Sequence, residues 1–185
     1  MNTLVLWLPR VLFTGAAAAL LWCAFVLTET RWFQHREGLR LEQALRAGTG
    51  IAPPVIPGLV GRVEVPRLDI SVIVMEGTGG AVLRHAAGHI VGTALPGEPG
   101  NTAISAHRDT FFRPLRHVRV NDEITVTTTA GHYRYRVLST EVTSPDNVSV
   151  LKATTTEILT LVTCYPFYFV GEAPERFIVR AARVT

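Results

Sequence analysis

Lysine and cysteine are scarce in this chain of 185 residues, with one lysine, Lys152, and two cysteines, Cys23 and Cys164. Cys23 lies in an apolar N-terminal segment and Cys164 near the other end, so a disulfide would tie a membrane helix to a domain core. No disulfide and no four-ligand zinc site are therefore expected. That expectation leaves the compartment open, because domains of this size fold without cross-links. The other basic residues are seventeen arginines, scattered without a run of five or six, and the net charge is only +3. This argues against a dedicated nucleic-acid surface. Charged residues make up 18% of the chain and hydrophobic ones 48%, which excludes general disorder and supports a real core. No internal repeat or low-complexity tract is visible.

What is present begins with a long uncharged stretch, Val11 to Thr28. Its length reaches the lower end of a membrane-spanning helix. A cleaved signal peptide would have a shorter apolar region and a small-x-small cleavage site, which Thr28-Glu-Thr-Arg-Trp32 lacks. An uncleaved anchor over residues 1–28 is the reading adopted. Arg10 on one flank and Arg31, Arg36, Arg40 and Arg46 on the other pull its orientation in opposite directions. Residues 29–58 read as a stalk and linker. Glu29 to Ala47 is charged and helix-prone, with a thin apolar stripe of Leu39, Leu41 and Leu45, and should carry the domain off the bilayer. Gly48 to Gly58 has too much glycine and proline for a regular element.

The remainder, 59–185, is punctuated by strand signals. Strands are expected at Leu59–Val65, Ile70–Met75, Asn101–Ala106 and Ile158–Thr163, and at Phe177–Ala182. A hairpin is expected from Asp122–Thr129 and His132–Val142 around Ala130-Gly131. Ala81–His85 reads as a short helical turn, and Gly92 to Gly100 as a loop. Seven or eight short strands predict an all-β barrel or sandwich.

Ile158-Leu-Thr-Leu-Val-Thr-Cys-Tyr-Pro-Phe167 delivers a cysteine to the end of a strand bounded by Pro166, which cannot donate to a β-ladder. Free cysteines are usually small buried hydrophobes; one at the rim of a rigid strand is also placed for chemistry. A thiolate nucleophile needs an imidazole partner and donors for the oxyanion. Among six histidines, His35 is in the stalk and His132 beside a hairpin turn. His85 and His89 have helical metal-pair spacing, but the intervening Ala-Ala-Gly includes no glutamate and weakens a helix, so zinc is not expected. His107 stands at the end of its own apolar strand, as Cys164 does. Arg176 and Arg180 fall on one face of the last strand, and Arg176 is nearer the loop leaving Cys164.

Three pieces together, Ser-Ala-His107-Arg-Asp, Leu-Thr-Leu-Val-Thr-Cys164-Tyr-Pro-Phe and Glu-Arg176-Phe-Ile-Val, resemble the sortases. Thr160 to Cys164 matches the family's Thr-Leu-x-Thr-Cys motif throughout. Gly88 to Asn101 and Cys164-Tyr-Pro-Phe are most similar to class D members. The resemblance covers about residues 59–184. It implies an eight-stranded sortase-type barrel behind an N-terminal transmembrane helix, with the catalytic domain outside the membrane. It implies a cysteine transpeptidase that cleaves an LPxTG-like sorting signal and passes the acyl group to a peptidoglycan or pilin amine. Carried over residue by residue, Cys164 is the nucleophile, His107 the general acid/base and Arg176 the oxyanion or orienting group, while Thr163 lines the substrate site. No acidic cluster matches a calcium site, so no metal or cofactor is carried over. Other cell-wall cysteine enzymes fit less well: the Ser-His-Gly-Cys context of L,D-transpeptidases is absent, and NlpC/P60 peptidases place cysteine before histidine at a helix start. A tethered barrel that binds sorting signals without cleaving them is the non-enzymatic alternative.

Overall fold

The computed structural model describes residues 3–47, 58–168 and 171–184. A single helix, α1 (Thr3–Ala47), precedes eight strands. These are β1 (Leu59–Val65), β2 (Ile70–Glu76), β3 (Ala87–His89), β4 (Asn101–Ser105), β5 (Glu123–Thr128), β6 (Gly131–Thr143), β7 (Ile158–Tyr165) and β8 (Glu175–Arg183). They close into a barrel in the order β1-β2-β3-β4-β7-β8-β6-β5. Two neighbours are parallel, β2–β3 and β4–β7, and the rest antiparallel. The expected eight-stranded barrel is therefore present, and the strand bounds differ from expectation by a few residues at most. β3 is the element that strand signals missed. It is three residues long and contains a glycine, too short for periodicity to register. Gly88 has no room for a Cβ against the Gly77 carbonyl and Leu83, and this close approach lets the β2–β3 connection, with its short helix α2 (Gly80–Leu83), lie on the strand.

Alternation decides what the barrel holds. Ile104 of β4, Ala106 just beyond it, and Leu159 and Leu161 of β7 enter the core with Val63, Val126, Tyr135 and Val179. Thr160, Val162 and Cys164 consequently face outward. Burial lifts the Tyr135 hydroxyl to about 12, with a smaller push from Glu157.

The two halves of α1 have different surroundings. Its N-terminal part is long and apolar enough to cross a membrane and is wholly exposed, with Phe13 at 76%. The C-terminal part lies against the barrel instead of standing clear of it. β3 pairs only with Val74 to Glu76, which leaves the neighbouring edge of β2 open. Gln34 caps that edge: its Oε1 accepts from Ile73 N at 2.9 Å, while Nε2 donates to His85 O at 2.6 Å. Ile73, an outward residue, is only 1% exposed and lies outside the barrel's core cluster, which the stalk over it explains. The buried stripe is Leu41 and Ala44, with Glu37 neutralised by Arg36 and Arg40, whereas Leu39 of the expected stripe is exposed. Helix runs unbroken through Thr28 and Glu29. Most of the expected linker, 48–57, lies outside the described residues.

Candidate active site

β7 carries Cys164 one residue before its end, and β8 begins beside it. Their antiparallel register sets Cys164 directly opposite Arg176, with Thr160 opposite Arg180. All four side chains share the outer face, but the two arginines lie two pairs of residues apart, roughly 13 Å at about 3.3 Å per residue. On the other side β4 runs parallel to β7, with Ser105 level with Val162. Ala106 N continues the ladder to Val162 O at 3.2 Å. Two steps beyond the last pair bring His107 level with Cys164. His107, Cys164 and Arg176 then line one cavity of about 250 Å³ with Thr78, Leu83, Ser105 and Val162.

The two threonines of Thr160-Leu-Val-Thr-Cys164 bind β7 to β4. The Thr160 hydroxyl donates to Asn101 Oδ1 at 2.7 Å, and Asn101 Nδ2 donates to the Val150 and Lys152 carbonyls. Thr163 points inward, buried, and donates to the Ala106 carbonyl at 2.7 Å, one residue before His107. It lines the same cavity, yet its hydroxyl is already engaged.

His107 is exposed and its imidazole makes no hydrogen bond among the described residues, so both ring nitrogens are open to a substrate. Cys164 is half-buried, and both cysteines are free. Arg176 donates through Nη1 to the Ala173 and Glu175 carbonyls at 3.1 and 3.0 Å. Its Nε and Nη2 hydrogens have no partner among the described residues. Beyond Cys164, the rings of Tyr165, Phe167 and Phe177 pack within 5.3 to 6.3 Å of one another and pin the start of the β7–β8 connection.

His89 and His85 are otherwise engaged. His89 is 2% exposed; Nδ1 meets Glu76 Oε2 at 2.8 Å and Nε2 meets Thr93 Oγ1 and Ala94 O. His85 sits under the stalk against Phe33. They are on different elements, so their spacing of four brings together no metal pair. Among the described residues, no group of three potential metal ligands is found.

The sortase domain model matches residues 63–184, two thirds of the chain and the whole of the site. The chain belongs to the sortase family. Sortase D of Bacillus subtilis (strain 168) is 33% identical over 126 residues, covering 68% of this chain. The chain spans 64% of that curated relative's length, just under two thirds. Among solved structures of the family, the Sortase D5 transpeptidase of Clostridium perfringens matches with a TM-score of 0.68 at 25% identity, over 84% of this chain and 98% of that one. Sortase A from Corynebacterium diphtheriae gives 0.65 at 30% identity, over 71% and 63%.

Three features of this sortase were missed in the sequence. They are the Asn101–Thr160 tie, Gln34 on the edge of β2, and Arg108, beside His107 in a quoted motif, whose guanidinium reaches the loop after Cys164. Only Arg108 had a signal available, its adjacency to His107.

Proposed function

We propose that this sortase is a membrane-anchored cysteine transpeptidase that cleaves an LPxTG-like sorting signal and transfers the acyl part to an amine at the cell surface. The observation that carries the reading is the shared cavity, in which Cys164 stands opposite Arg176 in the β7–β8 register and level with His107 just beyond β4. The Cys164 thiolate attacks the scissile carbonyl carbon. The resulting oxyanion lies within reach of the open Arg176 N–H groups, whose fork geometry lysine does not reproduce. The C–N bond then breaks, His107 as imidazolium gives its proton to the departing amine, and a thioester on Cys164 remains. A second amine attacks the thioester, neutral His107 takes its proton, and the thiolate leaves. Thr163 contributes to the substrate wall by holding the Ala106 backbone beside the reacting groups.

A neighbouring hollow of about 100 Å³ shares Val162 and Arg176 with the catalytic cavity and is lined by Ile90, Val150, Leu151 and Ile178. Its apolar lining suits the Leu-Pro part of a sorting signal. In this reading residues 1–28 are a single-pass anchor, 29–58 the stalk and linker, and 59–185 the extracytoplasmic catalytic barrel. The partners are exported proteins bearing the signal and a peptidoglycan or pilin amine; no nucleic acid is involved. The full chain in detergent, mixed with a sorting-signal peptide, should gain the mass of the acyl fragment on Cys164. Cys164→Ala should gain none, and Cys23→Ala should gain it at the wild-type rate. Equal losses from the two substitutions would reassign the nucleophile.

A further inference from the structure

Arg108 directly follows His107 but belongs to no strand. Its Nη1 donates to the Pro166 carbonyl at 3.1 Å and its Nη2 to the Gly171 carbonyl at 2.9 Å. Pro166 lies two residues beyond Cys164, and Gly171 lies five residues further along the same connection. One planar fork thus bridges two points of the loop that leaves the nucleophile. A second arginine of the β4–β5 connection supports it, as Arg116 lies 5.4 Å from the centre of the Tyr168 ring.

The tie matters because of what His107 lacks. The β4–β7 ladder ends at Ala106, and the imidazole has no hydrogen-bond partner among the described residues to orient it. Its backbone is held from the far side by Phe112 N, which donates to His107 O at 3.1 Å, with the Phe112 ring in the core. On the side of Cys164, Thr163 holds Ala106 just before His107, and Arg108 supplies the hold just after it. The nucleophile sits at the end of β7 and the imidazole on the connection leaving β4, so the contacts between that connection and the chain around Cys164 set the distance between them. A misplacement of about 1 Å is enough to cost a hundredfold in rate.

We propose that Arg108 is a positioning residue: by bridging the Pro166 and Gly171 carbonyls it holds the turn bearing His107 against the loop leaving Cys164, and so aims the imidazole at the leaving amine. This role rests on the transpeptidase reading above. It affects protonation of the leaving group more than attack by the thiolate, and substrates differ in how much they need that proton. A sorting-signal peptide departs as an amine and requires it. The same acyl portion presented as an activated ester departs as a stable anion and does not.

The test compares acylation of Cys164 by these two substrates in the full chain in detergent, for wild type, Arg108→Ala and Arg108→Lys, alongside thermal unfolding. Arg108→Ala should lower kcat for the peptide by about 10- to 100-fold, less than the loss from removing a general acid outright. It should lower the activated-ester rate by less than about threefold, on the same physical ground that no proton is needed. Arg108→Lys, with one compact ammionium in place of the fork, should fall between wild type and alanine on the peptide. If Arg108→Ala unfolds early, the peptide-to-ester ratio in Arg108→Lys decides the matter. Equal losses on the two substrates, or an unchanged peptide rate, overturn the positioning role. A wild-type chain that forms no adduct with either substrate overturns the transpeptidase reading instead.

Discussion

The parallel pair β4–β7 has two ends that treat polar side chains in opposite ways. At the start, Asn101 and Thr160 are 1% and 0% exposed, and every hydrogen-bonding atom of the Asn101 amide group has a partner in the protein. At the finish, His107 is exposed with its imidazole unpartnered among the described residues, and Cys164 opens into a cavity with Arg176. A buried amide has to be satisfied or the fold bears its desolvation. A group that works on substrate has to keep its donors and acceptors uncommitted until substrate arrives. The same two strands therefore supply a staple at one end and chemistry at the other. Thr163 belongs to the staple although it sits beside the nucleophile, because its hydroxyl is held by Ala106.

Substitutions at the two ends should separate rate from stability. The largest effect is expected at His107. His107→Gln should reduce acylation of Cys164 by a sorting-signal peptide by about 10²–10⁴, the range for a general acid, with the melting midpoint unchanged. A lowered midpoint with intact acylation would mean that the working end had been mistaken for a structural one. Next comes the pair on β8. Arg176→Lys should cost about 10²–10³ in kcat, as for loss of an oxyanion donor, whereas Arg180→Lys, set four residues back, should cost less than about tenfold. Pre-steady-state acylation measures both, and a larger loss at Arg180 would displace the third residue of the site.

The staple end should show the reverse pattern. Asn101→Ala leaves the Thr160 hydroxyl and two carbonyls without their partner and should lower stability by about 1–3 kcal/mol. Chemical denaturation reads that loss, while acylation stays within tenfold of wild type. A hundredfold fall in acylation at full stability would break the comparison.

The smallest effect is at the extreme of pH. Tyr135 is 1% exposed, and its hydroxyl is pushed up to about 12, from about 10 in the unfolded chain. The unfolded state therefore releases this proton first. Stability held below pH 10 should fall as pH rises from about 10 to about 12. Tyr135→Phe should remove that part of the slope, and an unaltered alkaline limb would show that folding does not raise the Tyr135 hydroxyl. Asp122 works in the other direction. Its hydrogen bonds from Arg67 hold its carboxyl below the usual carboxylate range, so its contribution is present above about pH 4 and is lost as pH falls further.

Much of the barrel was legible because a strand is a local pattern. Ile158 to Thr163 alternates, Pro166 bounds it, and β7 ends at Tyr165, within two residues of the expected limit. β3 was not legible, since three residues containing a glycine carry no period. The stalk was legible as a helix but not as a docked one. Gln34 acquires its meaning only against the open edge of β2 at Ile73.

By itself, the sequence determined the chemical inventory: an apolar anchor-length segment, one cysteine and one histidine at strand ends, and two arginines on one face of the last strand. Those are properties of neighbouring residues, and side-chain periodicity encodes them. Only the tertiary structure decided which of them meet. Cys164 and His107 come from strands 57 residues apart, and the parallel register that makes them level depends on closure of the whole barrel. It also decided which polar groups were left over for chemistry. His89 and His107 are the same residue type, but Glu76, Thr93 and Ala94 occupy the ring nitrogens of one and nothing described occupies those of the other. Pairing across the barrel consumes donors and acceptors, and a local pattern cannot count them.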